Sequence, residues 1–381
     1  MLATQRTGDP PFGGRRERAA RASGTIWYLQ WLRALGALAI VLLHAYVALS
    51  LEPTLSGLAP SLLRCEELAS IPLTRWAVPC FLMMSGALML DADRPMPPGK
   101  LLSHVWRVVF VLMTFGLLFC LMEATWEAGG LDADVVRAAL VNLLSGRSWD
   151  HLWYLYATLG LYLVTPALRA IARHQTTVGL SLLTGVLWLA CCGPATLGLM
   201  GVDVPVAASL ARLVGWAFPL PYYLAGHVLH RLGDEGAFGD EARGAPAGGA
   251  WAALLCLGLG ALVLVEWLAA TLGLGALCLP EHLAILPFGA LVFVGARRVV
   301  GAPTSVPSWV RIVADHSFGI YVIHPLFSHL LLLSRAVVEL VATAGVGGVI
   351  LLQLVIVAAG VGGSIAVTRL CRRLPGFAGT L

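Results

Sequence analysis

Apolar stretches of about 20 residues recur along this chain, separated by short breaks that hold most of its charged, Gly and Pro residues, and a helix that crosses a bilayer needs about that length. Ten stretches meet the requirement, near 26 to 50, 70 to 90, 102 to 124, 150 to 170, 177 to 199, 208 to 230, 250 to 273, 282 to 300, 312 to 333 and 346 to 368. The pattern predicts an all-α polytopic membrane protein of about ten transmembrane helices. The Cys192-Gly193-Pro194 break is expected to shorten the fifth span, and Pro287 to interrupt the eighth. Residues 1 to 24 mix Gly, Pro, Arg and Thr without a hydrophobic period, and read as a basic tail that is disordered or lies on the membrane surface. Residues 25 to 370 form a single transmembrane domain in this reading. A Gly/Ala-rich stretch at 233 to 250 is expected to be a flexible loop dividing six helices from four, and 371 to 381 a short tail. The first apolar stretch is too long for a signal-peptide core and lacks a small-residue cleavage site after it, so it is expected to be retained as a helix.

Composition agrees with a membrane class. The 381 residues are 58% hydrophobic and 12% charged, against roughly 25% charged in a soluble domain. The net charge of +4 is small and lies in loops and tails, with no basic patch interleaved with aromatics, so nucleic acid is not an expected partner. With ten helices drawn, the basic groups fall on one side: Arg6 to Arg21 of the tail, Arg94 with Lys100, Arg169 with Arg173, Arg231 with Arg243, Arg297 with Arg298, and Arg369 with Arg372 and Arg373. Glu52, Glu66, Glu67, Glu127, Asp132, Asp134, Asp203 and Glu281 fall on the other. By the positive-inside rule the basic face, and with it both termini, is expected in the cytoplasm. No fixed-period repeat supports an inverted-repeat transporter. The eight cysteines follow no CxxC or Cys/His spacing, so no metal is expected. Cys65 and Cys278 would both lie outside, where a disulfide could form.

Polar residues inside the apolar stretches carry the candidate chemistry. Arg33 and His44 are eleven residues apart in the first, and eleven steps of about 100° bring them to one helix face. They are then roughly 16 Å apart along the axis, Arg33 toward the basic side and His44 toward the other. Such groups are costly in lipid and mark a path through the bundle, although a snorkelling Arg and a His bonded to a backbone carbonyl are the structural alternative. His104 and Arg107, three apart beside Lys100 at the basic end of the third span, would make a cationic mouth with Arg33. Such a mouth suits a phosphate-bearing ligand, and positive-inside anchoring is its alternative. Asp150, His151, Trp153 and Tyr154 open the fourth span at the far mouth, as an interfacial belt or as a platform for sugar rings. Glu123 or Glu266 could orient His44, or simply be solvated. His324, before Pro325 in the ninth span, is a second buried imidazole that could serve the path or satisfy a local kink.

Four segments together carry a family resemblance. Arg33 with His44, Val78-Pro79-Cys80-Phe81 leading to Ser85-Gly86-Ala87-Leu88, His151-Leu152-Trp153-Tyr154-Leu155 running on to Tyr162 and Pro166, and Ser317 through Pro325 occur in the order of the landmark segments of the acyltransferase 3 membrane family. The chain resembles the bacterial inner-membrane O-acetyltransferases that act on cell-surface glycans, rather than the larger members with an added extracytoplasmic hydrolase-like domain. The resemblance implies transfer from cytoplasmic acyl-coenzyme A, usually acetyl, as co-substrate to a hydroxyl of an extracytoplasmic glycan or lipid-linked sugar. It makes Arg33 and His44 the essential pair. It places His104 and Arg107 where the family usually has two arginines, a departure at His104. Lys100, His104, Arg107 and Arg33 are then donor contacts, and Glu123, His151, Trp153, Tyr154 and His324 are acceptor-side or supporting groups.

A glycan hydroxyl is a poor nucleophile, and an imidazole can take its proton as it attacks the thioester, which makes His44 the candidate general base. An acyl-His intermediate is the other route open to an imidazole. A transporter or exporter of polysaccharide or acyl groups would also line its path with His and Arg, moving its cargo unchanged. A purely structural or sensory protein would tolerate alanine at both positions.

Overall fold

The computed structural model describes residues 26–202, 209, 214–238, 247–300, 306–377 and 380–381, with Asp150, Ala247 and Gly248 described by backbone alone. The expected tail at 1 to 24 and residues 239 to 246 of the loop at 233 to 250 lie outside the described residues. No strand occurs among the described residues. In chain order the helices are α1 (Trp27–Leu51), α2 (Pro53–Leu58), α3 (Pro60–Arg75), α4 (Ala77–Met89) and α5 (Pro98–Val111), which passes through a π-helical turn (Leu112–Gly116) into α6 (Leu117–Ala128). Then come α7 (Ala133–Leu144), α8 (Trp153–His174), α9 (Thr177–Leu199), α10 (Pro219–Asp234), α11 (Ala247–Thr271) and α12 (Ile285–Val300). The chain closes with α13 (Ser308–Asp315), α14 (Ser317–Leu332), α15 (Arg335–Thr343) and α16 (Gly345–Cys371).

Among the described residues seven helices or continuous helix pairs are long and apolar enough to cross a membrane, or eight if α14 and α15, bent by 72°, form one span. Nine of the ten predicted stretches overlap these helices or α12 closely, and the sixth falls partly on residues outside the described set. Among the described residues α10, α12 and α14 are 16 residues each, which keeps them out of that count. At about 1.5 Å per residue they reach roughly 24 Å, short of a hydrocarbon core of about 30 Å. Pro194 does not break the fifth stretch, since α9 runs through it, and Pro287 sits in the first turn of α12, where a missing N–H is harmless. The stretch holding Asp132 and Asp134 is no simple loop, because Asp132 accepts the Val135 N–H at 2.8 Å and caps α7.

Helix α1 is the axis of the bundle, packed against α3, α4, α12, α13, α14 and α16. Its Leu32, Ala34, Ala37, Ile40 and Leu49 are almost fully buried. The tightest helix pair is α4 with α10, where a Cβ at Gly86 would overlap the Tyr223 carbonyl and one at Gly226 the Met83 carbonyl. Close approach through small residues is how helices gain packing energy where lipid removes the hydrophobic drive. By contrast α9 and α11 turn most of their surface outward, and Leu163, Val178, Leu182, Leu257 and Leu351 are exposed, as lipid contact requires.

Hydrogen bonds join the basic groups at one end of the bundle. Arg169 donates to the Met89 carbonyl and, at 2.7 Å, to that of Arg94, and Arg231 donates to the Gln175 carbonyl at 3.1 Å. Arg297 pairs with Asp234 at 2.8 Å and donates to the His230 carbonyl at 2.8 Å. Arg169 and Arg231 thereby bind carbonyls at the ends of α4 and α8, a structural task beside any topological one. At other points Cys65 and Cys278 are free thiols, so the disulfide is absent: Cys278 is buried against the Leu262 carbonyl, while Cys65 is exposed.

Candidate active site

Two cavities open along α1. The smaller, about 350 Å³, is lined by Arg33, His104, Arg107, Asp315, Ser317 and Tyr162 among others. The larger, about 1110 Å³, has His44 and His151 in its wall. Ile40, Val78, Tyr154 and Tyr321 line both, so the cavities abut across these four residues. Arg33 and His44 thus reach different chambers that share a partition, with Ile40 lying between them on the same helix face. Neither group points at lipid alone.

Three imidazoles converge at the partition. The ring centroid of His44 is 4.9 Å from that of His324 and 6.0 Å from that of His151, and the latter two are 5.6 Å apart. Each is oriented by backbone. His44 Nδ1 lies 2.9 Å from the Ile40 carbonyl, one turn back on α1. A carbonyl can only accept, so Nδ1 carries the proton and Nε2 is left as the proton-accepting nitrogen. His324 Nδ1 is 2.8 Å from the Ile320 carbonyl and 2.9 Å from that of Tyr321. The Tyr321 carbonyl is the one deprived of its helical donor by Pro325, so the kink-satisfying role and the place beside His44 belong to the same side chain. His324 Nε2 is buried without a hydrogen-bond partner. His151 Nε2 donates to the Val322 carbonyl at 3.2 Å, and the Tyr321 hydroxyl donates to the His151 carbonyl, a reciprocal tie between α14 and the turn before α8. His151 is therefore 5% exposed and deep, not at the rim where its place in the sequence suggested.

The Arg33 chamber is cationic with one carboxylate. Arg107 donates from Nε to the Thr380 carbonyl at 2.7 Å and lies 4.7 Å over the Phe318 ring, which holds its guanidinium plane. The His104 ring is 5.8 Å from Tyr162. Asp315, at the end of α13, faces the same space and is the carboxylate whose field acts on Arg33. Lys100 is exposed and outside the chamber wall, so the expected mouth contains three of its four predicted cations.

Trp153 and Tyr154 line the His44 chamber, and the Tyr154 ring packs 5.4 Å from Tyr321 at the partition. Glu123 is exposed on α6 and lines neither cavity, and buried Glu266 accepts the Leu277 and Cys278 N–H groups, both at 3.1 Å. Sequence reasoning missed Tyr321 and Asp315 as site residues, although both flank the quoted Ser317 to Pro325 segment, and it missed Arg75 on the chamber wall. Among the described residues no group of three or more His, Cys, Asp or Glu is placed to hold a metal ion.

A helical membrane bundle with an imidazole and a guanidinium in abutting chambers is a frame for moving or transferring a group between two sides. Comparison with known families resolves the class: a family model described as an acyltransferase domain, Acyl_transf_3, matches residues 26–369, nearly the whole chain. The chain belongs to the acyltransferase 3 family, and is by that membership a membrane acyltransferase. Searches of curated proteins and of solved structures find no match.

Proposed function

We propose that the protein is an O-acyltransferase of the bacterial inner membrane that moves an acyl group, acetyl in the simplest case, from cytoplasmic acyl-coenzyme A to a hydroxyl of an extracytoplasmic glycan or glycolipid. The observation that carries this reading is the shared partition of the two chambers, with Arg33 on one side and His44 on the other. The basic end of the bundle faces the cytoplasm by the positive-inside rule, and both termini lie there with it. The charged nucleotide end of the donor rests against Arg33, Arg107 and His104, and its thin pantetheine arm carries the thioester up to Ile40 and Tyr154. The distance of roughly 16 Å along α1 suits a threaded arm.

In the transfer the acceptor hydroxyl attacks the thioester carbonyl, its proton passing to His44 Nε2 while the new C–O bond forms. Collapse of the tetrahedral intermediate breaks the C–S bond, and the departing thiolate takes the proton back from Nε2, giving the ester and free coenzyme A. The Nδ1 bond to Ile40 keeps the imidazole in the required tautomer throughout. Incubating the purified protein in lipid with labelled acetyl-coenzyme A and candidate glycans, then weighing the products, tests the reading. Labelled ester is the expected product, whereas movement of an unmodified glycan with no ester would identify an exporter.

A further inference from the structure

The His44 chamber has a wall whose chemistry the transfer itself does not use. Of Asp, Glu, Lys and Arg, only Arg75 and Glu281 line its 1110 Å³. Arg75 comes from the last turn of α3 and Glu281 from the segment between α11 and α12. Among the described residues neither enters an ion pair, and Arg75 Nε is buried with no hydrogen-bond partner. A buried guanidinium N–H left unmet is costly, so this donor is poised for something that enters the chamber.

The segment that carries Glu281 is held in place from several directions. Glu266 accepts its Leu277 and Cys278 amides, the Tyr222 hydroxyl donates to the Pro280 carbonyl at 2.7 Å, and the Leu283 amide donates to Thr196 Oγ1 at 3.0 Å. Side chains supported in this way are preorganised, which lowers the cost of ordering them on binding. The neighbouring wall is aromatic: Trp153 and Phe218 both face the chamber, with ring centroids 5.3 Å apart. A few fixed polar groups set among aromatic side chains is the make-up of a small-molecule site, and the volume exceeds what one sugar ring needs.

Resting on the acyl-transfer reading, we propose that this wall is the acceptor subsite and that it selects an uncharged glycan. Trp153 and Phe218 cover the C–H face of a pyranose, Arg75 donates to one ring hydroxyl and Glu281 accepts from its neighbour, which leaves a third hydroxyl to reach His44. An anionic sugar is disfavoured, because the positive charge of Arg75 is already opposed by the fields of Glu281 and Glu266. A uronic-acid carboxylate would meet Glu281 as a like charge.

The test uses the full chain in nanodiscs with labelled acetyl-coenzyme A and two sets of oligosaccharides matched in length, neutral cello- and malto-oligosaccharides against oligogalacturonides. Label is expected on the neutral set. Glu281→Gln and, separately, Arg75→Gln should each raise the KM for that acceptor about tenfold or more, as the loss of a hydrogen bond to a charged group does. The KM for acetyl-coenzyme A should hold in both, and Arg75→Lys should recover part of the loss. Label on the oligogalacturonides instead, or an acceptor KM unmoved in both variants, would overturn the proposal. Coenzyme A release that depends on His44 but leaves no label on neutral sugar would overturn this proposal alone. Absence of release as well would remove the acyl-transfer reading beneath it. Variants that run as aggregates are replaced by Arg75→Lys and Glu281→Asp, for which a smaller rise in acceptor KM is expected and an unchanged value overturns the proposal.

Discussion

The Arg33 chamber and the His44 chamber share α1, a partition and two tyrosines, yet their walls differ in size and chemistry. The first is small, about 350 Å³, with Arg33, Arg107, His104 and Asp315 in its wall; the second is about three times larger, with a mostly apolar and aromatic wall around its imidazoles. Guanidinium groups suit phosphate oxygens, and broad aromatic surfaces suit sugar rings. On the transfer reading proposed above, the difference teaches that one helix face would serve two ligands by placing a cation and an imidazole eleven residues apart, each beside its own chamber.

Substitutions that touch one chamber and spare the other would sharpen this contrast or break it. His44→Ala should have the largest effect, a fall in kcat of about 10² to 10⁴, the usual worth of a positioned general base. Binding of acetyl-coenzyme A, followed by calorimetry, should persist in that variant, and full activity would reject the base. Arg33→Ala should raise the KM for acetyl-coenzyme A about tenfold or more, because a charge-assisted contact is worth about 1.5–3 kcal/mol, while leaving the acceptor KM unchanged. Steady-state kinetics with each substrate varied in turn separates the two constants. Tyr321→Phe removes the hydroxyl that meets the His151 carbonyl and should lower kcat by about fivefold, near 1 kcal/mol, with both KM values held, since it acts on the partition and not on either guest. Lys100→Ala should be the weakest, with less than about a twofold change in donor KM, given that an exposed cation off the chamber wall contributes little.

Much of this site can be read from the chain because helical geometry is local. The common face of Arg33 and His44 follows from eleven residues at about 100° each, and His324 meeting the carbonyl freed by Pro325 follows from spacing on one helix. What joins separate helices is less visible. Nothing in the sequence near His151 states that the Tyr321 hydroxyl, 170 residues later, binds its carbonyl, or that the ring lies 5.6 Å from His324. Glu123 and Glu266 look like partners for His44 by depth alone, but depth does not give the direction a helix faces: Glu123 lines neither cavity, and Glu266 is taken up by the Leu277 and Cys278 amides. The span count among the described residues falls short of the predicted stretches for a related reason. Hydrophobic runs around α10, α12 and α14 continue beyond the helix ends, so length in sequence overstates length in structure, as the 72° bend after α14 also shows. Arg169 and Arg297 look like topology signals in the sequence, whereas their carbonyl and carboxylate partners emerge only when loops meet.

The central claim is that donor and acceptor approach His44 through opposite chambers and from opposite faces of the membrane. Sealed vesicles with the protein in one orientation test it most directly, with labelled acetyl-coenzyme A confined to one side and a membrane-impermeant neutral oligosaccharide to the other. Labelled ester should form when the donor lies on the face of the basic loops and the acceptor on the opposite face, and it should vanish in His44→Ala. Ester formed only when both substrates share one face would contradict the account.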